Sequence, residues 1–398
     1  MGEVLRWASQ NQHRLLICGA GSKLHWGGLP TAIDAVVSTQ CLNKIIAHAV
    51  GDLTLQAEAG TTLAQVQTVL AKTGQMVALD PAYPETATLG GILATRDAGS
   101  WRHRYGGVRD QCLGLSFVRA DGQRAKAGGQ VVKNVAGYDL MKLFTGSYGS
   151  LGVVTDLTLR LYPIPEASQT LFLQGESLPL GRLLSFLRDS TLTPTVLDGM
   201  GGELVTQLGG TAPVGLVIRF QSLAESVIAQ VQQTREWAAD LVVKVLSGEE
   251  ETQFWRQLRR SLWSSAPTNI TVVAKVGGLP NQTVAQLEKA AAIAQAAHLT
   301  FSGLIHSGSG VGTIRVSGAE LDHLRNGVLA LRQHWQQAQG YLSILEAPYG
   351  LKQIVEVWGY GGNAMVSDRP VAIAPMQQLK DKFDPYHCLN PGRFVGGM

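Results

Sequence analysis

A five-residue run, Gly19-Ala-Gly-Ser-Lys23, follows the apolar stretch Leu15-Leu-Ile-Cys18. Small residues directly behind a strand let consecutive backbone N–H groups approach an anion without side-chain obstruction, so the chemistry on offer is phosphate binding. Ser22 adds a hydroxyl donor and Lys23 a positive charge. The spacing narrows the kind of phosphate site. A dinucleotide fingerprint needs a third glycine at position 24, which is Leu24, and the spacing of a Walker A loop is absent. Taken alone, the segment leaves open a plain glycine turn after a strand.

Four more small-residue segments follow: Thr88-Leu-Gly-Gly91, Arg104-Tyr-Gly-Gly107, Lys133-Asn-Val-Ala-Gly-Tyr-Asp-Leu140 and Gly146-Ser-Tyr-Gly-Ser-Leu-Gly152. Arg102, Arg104, Arg109 and Arg315 could each anchor a carboxylate, and each reads equally well as a surface charge. Arg109 and its neighbour Asp110 are expected to form a local ion pair. The four cysteines, at 18, 41, 112 and 388, make no Cys-x-x-Cys pair and have no zinc or iron–sulfur spacing, so no metal site is expected. Their usage fits a reduced, cytoplasmic compartment. Lys and Arg number 33 against 30 Asp and Glu, a net charge of +3, and they are scattered, which excludes a nucleic-acid footprint. The N-terminus contains no signal-peptide core. The most apolar stretch, Ala290 to Phe301, reads as helical but is too short and interrupted to span a bilayer, so direct membrane insertion is not expected and any association is peripheral, through partners.

The elements that must position these residues are legible in outline. With 398 residues and 45% hydrophobic content the chain can bury two cores. Residues 1 to about 165 read as short strands separated by glycine turns, with one helix from Leu63 to Thr73, capped by Gly60-Thr-Thr62 and stopped by Gly74. Leu115–Arg119 and Gln123–Lys126 flank Ala120-Asp-Gly122, a hairpin signal. Paired prolines in Tyr162-Pro-Ile-Pro-Glu166 mark a boundary. Beyond it, strands at Leu216–Phe220, Leu241–Leu246 and Ile270–Val276 alternate with helices at Ala224–Ala239, Thr283–Ala297 and Glu320–Gln339. Two βαβ-like units with antiparallel closure satisfy that order, an α+β arrangement. The expected organisation is 1–165, 166–365 and a C-terminal segment 366–398 that returns to the first domain.

The five small-residue segments, in this order, resemble the FAD domain of the vanillyl-alcohol-oxidase-type (PCMH-type) flavoproteins. Within that family, Gly107-Val-Arg-Asp110 and the segment from Gly129 to Asp139 resemble most the FAD-binding E-subunit branch of the bacterial glycolate oxidases. The resemblance implies a PCMH-type FAD-binding domain of two α+β subdomains plus a smaller α+β cap-like second domain. It implies FAD contacts from Gly19, Ala20, Gly21, Ser22 and Lys23 at the diphosphate, and from Leu89, Gly90 and Gly91 on its other side. Thr95, Ala98, Gly99 and Ser100 fall where the family passes the flavin ring, and Val153 and Val154 fall at the adenine end. The FAD is expected to be non-covalent, because no histidine lies inside the Gly-rich loop, His25 falls just past it, and Trp101 to Tyr105 contains no cysteine. Relatives usually have a strand before the helix in which this sequence begins, at Glu3; either that strand is missing or the start is misplaced, and if it is missing the small N-terminal sheet is expected to have an open edge.

Catalytic relatives carry His-x-Gly-Asp-Gly-Asn-x-His in the second domain. The corresponding stretch is His306-Ser-Gly-Ser-Gly-Val-Gly-Thr313, which keeps the first histidine but has Ser309, Val311 and Thr313 in place of the aspartate, the asparagine and the second histidine. A Glu-His-Gly segment of those relatives is matched by Glu346-Ala-Pro-Tyr-Gly350, which offers only the acid. No catalytic residue is therefore assigned. His306 is the one candidate base, set against the alternative of a structural histidine beside glycines. The resemblance then implies an FAD-binding subunit of a complex that oxidises a small 2-hydroxy acid, with a catalytic flavoprotein subunit and an iron–sulfur subunit as partners. A stand-alone FAD-dependent dehydrogenase for glycolate or D-lactate is the second reading, and a non-catalytic scaffold the third. Asn390 and Arg393, in Leu389-Asn-Pro-Gly-Arg393, read either as flavin contacts or as fasteners of a C-terminal turn.

Overall fold

The computed structural model describes residues 1–129, 137–263, 270–360 and 369–398. The chain separates into two units, Met1–Ile164 together with Tyr360–Met398, and Pro165–Gly359. The boundary expected after residue 365 falls among residues 361–368, and part of the Gly129-to-Asp139 segment falls among 130–136; both stretches lie outside the described residues.

In the first unit, Leu15–Cys18 pairs in parallel with Ala35–Ser38. A five-stranded antiparallel sheet runs Ile45–Ala49, Thr54–Glu58, Val153–Arg160, Cys112–Val118, Arg124–Gly128. The last two strands form the hairpin expected around Asp121-Gly122. Helix Leu63–Ala71 starts where Thr62 and Gln65 cap each other reciprocally, and it buries Leu63, Val66 and Leu70 on one face.

The expectation of a single helix between the N-terminal one and residue 165 fails. Leu89–Thr95, Arg102–Tyr105, Val108–Gln111 and Leu140–Phe144 are also helical. They run for one or two turns, too short for a 3.6-residue apolar period to declare itself. The Thr-Leu-Gly-Gly segment is consequently a helix start, with the Thr88 hydroxyl accepting the Gly91 amide at 3.3 Å.

The second unit is one eight-stranded sheet in the order Val242–Ser247, Ala167–Gly175, Val214–Ser222, Val196–Gly202, Thr300–His306, Val311–Gly318, Ile270–Gly277, Tyr341–Glu346. Every pairing is antiparallel. The expected helices appear as Ala224–Trp237, Thr283–Ala296 and Leu321–Gln337. The third presents Leu324, Val328, Leu331 and Trp335 to the core at three- and four-residue intervals. Ala290 to Phe301 is not one helical stretch. The helix closes at Ala296, His298 takes a positive φ of 57°, and the strand at Thr300 begins.

Candidate FAD site

The Gly-rich run leaves strand Leu15–Cys18 and turns back on itself, with the Leu24 amide donating to the Gly21 carbonyl. Among the described residues, the amides of Gly19, Ala20, Gly21, Ser22 and Lys23 donate to no protein acceptor. Five successive donors left without acceptors form an anion nest. They line one cleft together with Gly90, Gly91, Thr95, Val153 and Val154. Ten of the fourteen residues expected at the cofactor thus share one cleft.

The other four do not line it. Leu89 is 2% exposed, packed in the core, and its amide donates to the Thr61 carbonyl. Ala98 is in the same core, while Ser100 and Trp101 donate their amides to the carboxylate of Asp80, around which Gly99 bends with φ of 68°. Gly90 lines the cleft, yet its amide is spent on the Ala59 carbonyl at 2.8 Å. Close approach explains the first glycine of the loop. A Cβ on Gly19 would stand 2.2 Å from the Thr88 hydroxyl oxygen that caps the neighbouring helix.

Two cations line the cleft, in different states. Lys23 lies 2.7 Å from the Asp97 carboxylate, with side chains 5% and 10% exposed. The contact is poorly aligned as a hydrogen bond, so charge holds it. The charge expected of Lys23 for a phosphate is therefore already matched. Arg393 comes from the C-terminal segment, and its Nη2 donates to the carbonyls of Lys23, Leu24 and Trp26 at 3.2, 3.0 and 2.9 Å. Its guanidinium also lies 5.8 Å from the centre of the Tyr148 ring. Burial pushes its pKa down, with Tyr148 and Cys18 acting in the opposite direction.

Asn390 fastens the same segment. Its side chain accepts the Ile17 amide at 2.7 Å and donates to the Tyr148 carbonyl at 2.6 Å, while its own amide donates to the Leu15 carbonyl. Each end of the side-chain amide thus carries one structural bond. The glycine at 149 is required there, because a Cβ would stand 2.6 Å from Asn390 Nδ2. The remaining wall includes Cys18, whose thiol burial pushes upward against the Ser38 hydrogen bond and the Arg393 charge. Tyr148 is pushed up by burial as well.

A family described as FAD binding domain matches residues 1–128. Glycolate oxidase subunit GlcE of Escherichia coli (strain K12) is 33% identical over 259 residues, covering 65% of this chain and 67% of that one. The chain belongs to the PCMH-type FAD-binding oxidoreductases. Glycolate oxidase subunit GlcD of Bacillus subtilis (strain 168) is 25% identical over 410 residues, 99% of this chain and 86% of that one. Substrate-bound p-cresol methylhydroxylase shares the fold, with a TM-score of 0.75 at 14% identity over 98% of this chain and 86% of that one. FAD is accordingly the cofactor of this flavoprotein, and the unfilled donors of the cleft fit its diphosphate.

The second unit of the flavoprotein holds His306 at the end of strand Thr300–His306. It is not an isolated histidine. Asp198 is its cross-strand partner on Val196–Gly202, and its carboxylate Oδ1 lies 2.7 Å from His306 Nδ1. An ionised carboxylate only accepts, so in a neutral imidazole this pairing puts the ring proton on Nδ1 and leaves Nε2 as the acceptor. Asp198 is 0% exposed, and its Oδ2 has no hydrogen-bond partner among the described residues, nor does the buried Ser307 hydroxyl. No third His, Cys, Asp or Glu joins them to form a metal-holding group among the described residues.

Two of the four arginines singled out in the sequence, Arg109 and Arg315, are held by partners within the protein. Arg109 pairs with Asp139 at 2.6 Å instead of Asp110, and donates to the Cys112 carbonyl as well. Asp110 instead accepts the Gly107 amide at 2.7 Å, and Asp139 caps helix Leu140–Phe144. Arg315 donates to the Ser261 carbonyl. No helix among the described residues is long and apolar enough to cross a membrane.

Proposed function

We propose that this FAD-dependent oxidoreductase is the FAD-binding subunit of a glycolate-oxidase-type complex, supporting oxidation of a small 2-hydroxy acid such as glycolate to its 2-oxo acid. A catalytic flavoprotein subunit and an iron–sulfur subunit are its partners, the latter receiving the electrons. The observation that carries the reading is the row of five unfilled amides at Gly19–Lys23 in a chain 33% identical to GlcE over 65% of its length. Oxidising a 2-hydroxy acid removes two electrons and two protons, and FAD, when bound, supplies the two-electron acceptor. The protein's own contribution in the cleft is to hold the diphosphate on loop amides and to keep Cys18 and Tyr148 protonated against it. In this reading residues 1–165 and 366–398 serve the cofactor, and 166–365 form the cap-like substrate domain. The subunit sits in the cytoplasmic compartment, reaching a membrane only through partners.

One observation favours the second reading, a stand-alone 2-hydroxy acid dehydrogenase. The Asp198 contact at Nδ1 supports a role for His306 in which Nε2 would accept a hydroxyl proton and Asp198 would stabilise the imidazolium that results. The purified chain distinguishes the readings under anaerobic conditions. A yellow protein that glycolate and D-lactate leave unbleached until partner subunits are added supports the subunit. Rapid bleaching of the chain alone supports the dehydrogenase and overturns the subunit reading, and a protein that stays colourless after FAD is added leaves only the scaffold.

A further inference from the structure

A guanidinium carries five N–H donors. In Arg393, the pair on Nη2 is spent on the loop carbonyls of Lys23, Leu24 and Trp26. Nε is buried and has no acceptor, and Nη1 donates to nothing among the described residues. The residue is 4% exposed, and no carboxylate among the described residues lies within ion-pair distance of it. A buried cation with no counter-charge is costly, and an arginine does not escape the cost by losing its proton. Lys23, the other cation of the cleft, is as buried and has its carboxylate.

The unmatched charge is therefore held by its carbonyl clamp against the loop whose amides are also unmatched, and both line one cleft. The five loop amides and the Arg393 guanidinium border one cleft, and among the described residues neither those amides nor Nη1 has a protein acceptor. The ligand that satisfies both is a dianion with several oxygens, bridging loop and guanidinium.

We propose that Arg393 is the charge-matching contact for the diphosphate of FAD and the residue that makes this cleft select a diphosphate-bearing flavin over riboflavin. The inference rests on the FAD-binding reading of the cleft. It also makes the C-terminal segment part of the cofactor site, because Asn390 and the Leu15 amide, which donates to the Cys388 carbonyl, fix the backbone that carries Arg393.

The test uses the full chain stripped of flavin, titrated with FAD and with riboflavin while flavin fluorescence is followed. Arg393→Gln weakens FAD by about tenfold or more and leaves riboflavin unchanged; Arg393→Lys, which keeps the charge but loses the fork, falls between. Equal weakening of FAD and riboflavin in both variants reduces Arg393 to a loop clamp and overturns the inference while the FAD reading stands. Failure of the unsubstituted chain to bind FAD overturns both. Should Arg393→Gln not fold, the unsubstituted apoprotein decides by competition: ADP displaces FAD and adenosine at the same concentration does not, whereas equal displacement overturns the proposal.

Discussion

Two polar sites, one in each unit, have opposite deficits. Around Gly19–Lys23 the first unit has donors without acceptors, five amides and most of the Arg393 guanidinium. Around His306 the second unit has an acceptor surplus, a fully buried Asp198 carboxylate with one oxygen on the imidazole and the other unpartnered. A donor surplus calls for an anion, and the diphosphate of the cofactor is one. An acceptor surplus beside an imidazole calls for a proton or a proton donor. The two sites thus differ in the sign of what they leave unfilled, donors in the first unit and an acceptor in the second.

That contrast breaks if the sites do not respond separately. The largest expected effect comes from a reciprocal pair of substitutions. Gly19→Ala forces a methyl group against the Thr88 cap and is expected to weaken FAD by a hundredfold or so, about 2.7 kcal/mol, by displacing the loop. Asp198→Ala removes a charge-assisted hydrogen bond to His306 from a buried site and is expected to cost about 1.5–3 kcal/mol of stability in denaturant unfolding, with FAD affinity unchanged. Loss of FAD binding in Asp198→Ala, with the chain still folded, would show that the sites are not separate.

A smaller effect sharpens the contrast at a third polar cluster that is fully matched. Burial raises the Asp139 carboxyl, but the hydrogen bonds from Arg109 and from the Lys142 amide outweigh it and hold it below its usual value. Such a carboxylate adds stability above its unfolded pKa, and the addition is lost as pH falls through the folded value. The pair is partly exposed, so the expected contribution is a few tenths of a kcal/mol. Asp139→Asn should lower stability slightly at pH 7 and flatten the acid limb of the stability profile, measured by urea unfolding between pH 7 and 3. An unchanged limb would mean that the Asp139 pair contributes nothing.

What the sequence revealed depended on how local the feature was. The loop Gly19–Lys23 declared itself because its chemistry lies in consecutive small residues. The neutralisation of Lys23 by Asp97, and the carboxylate behind His306, are invisible along the chain, since strand register alone brings residues 108 positions apart into contact. Arg109 shows the same limit in reverse. Its neighbour Asp110 suggested a pair, but Asp110 turns to cap the Gly107 amide and the fold delivers Asp139. Helix Leu321–Gln337 was legible from its apolar period, whereas Ser177–Asp189, Gly248–Trp263 and the one- and two-turn helices of the first unit were not. Strands Thr300–His306 and Val311–Gly318 were obscured by the Ser-Gly turn between them and by the alanine-rich helix before them.

Hydrogen exchange on the apoprotein, with and without FAD, tests the central claim most directly, because that claim concerns particular amides. Bound FAD should slow exchange at Gly19–Lys23 by about tenfold or more, against an unchanged reference in the edge strand Val242–Ser247. Saturating FAD that leaves exchange at those five amides unchanged would contradict the account.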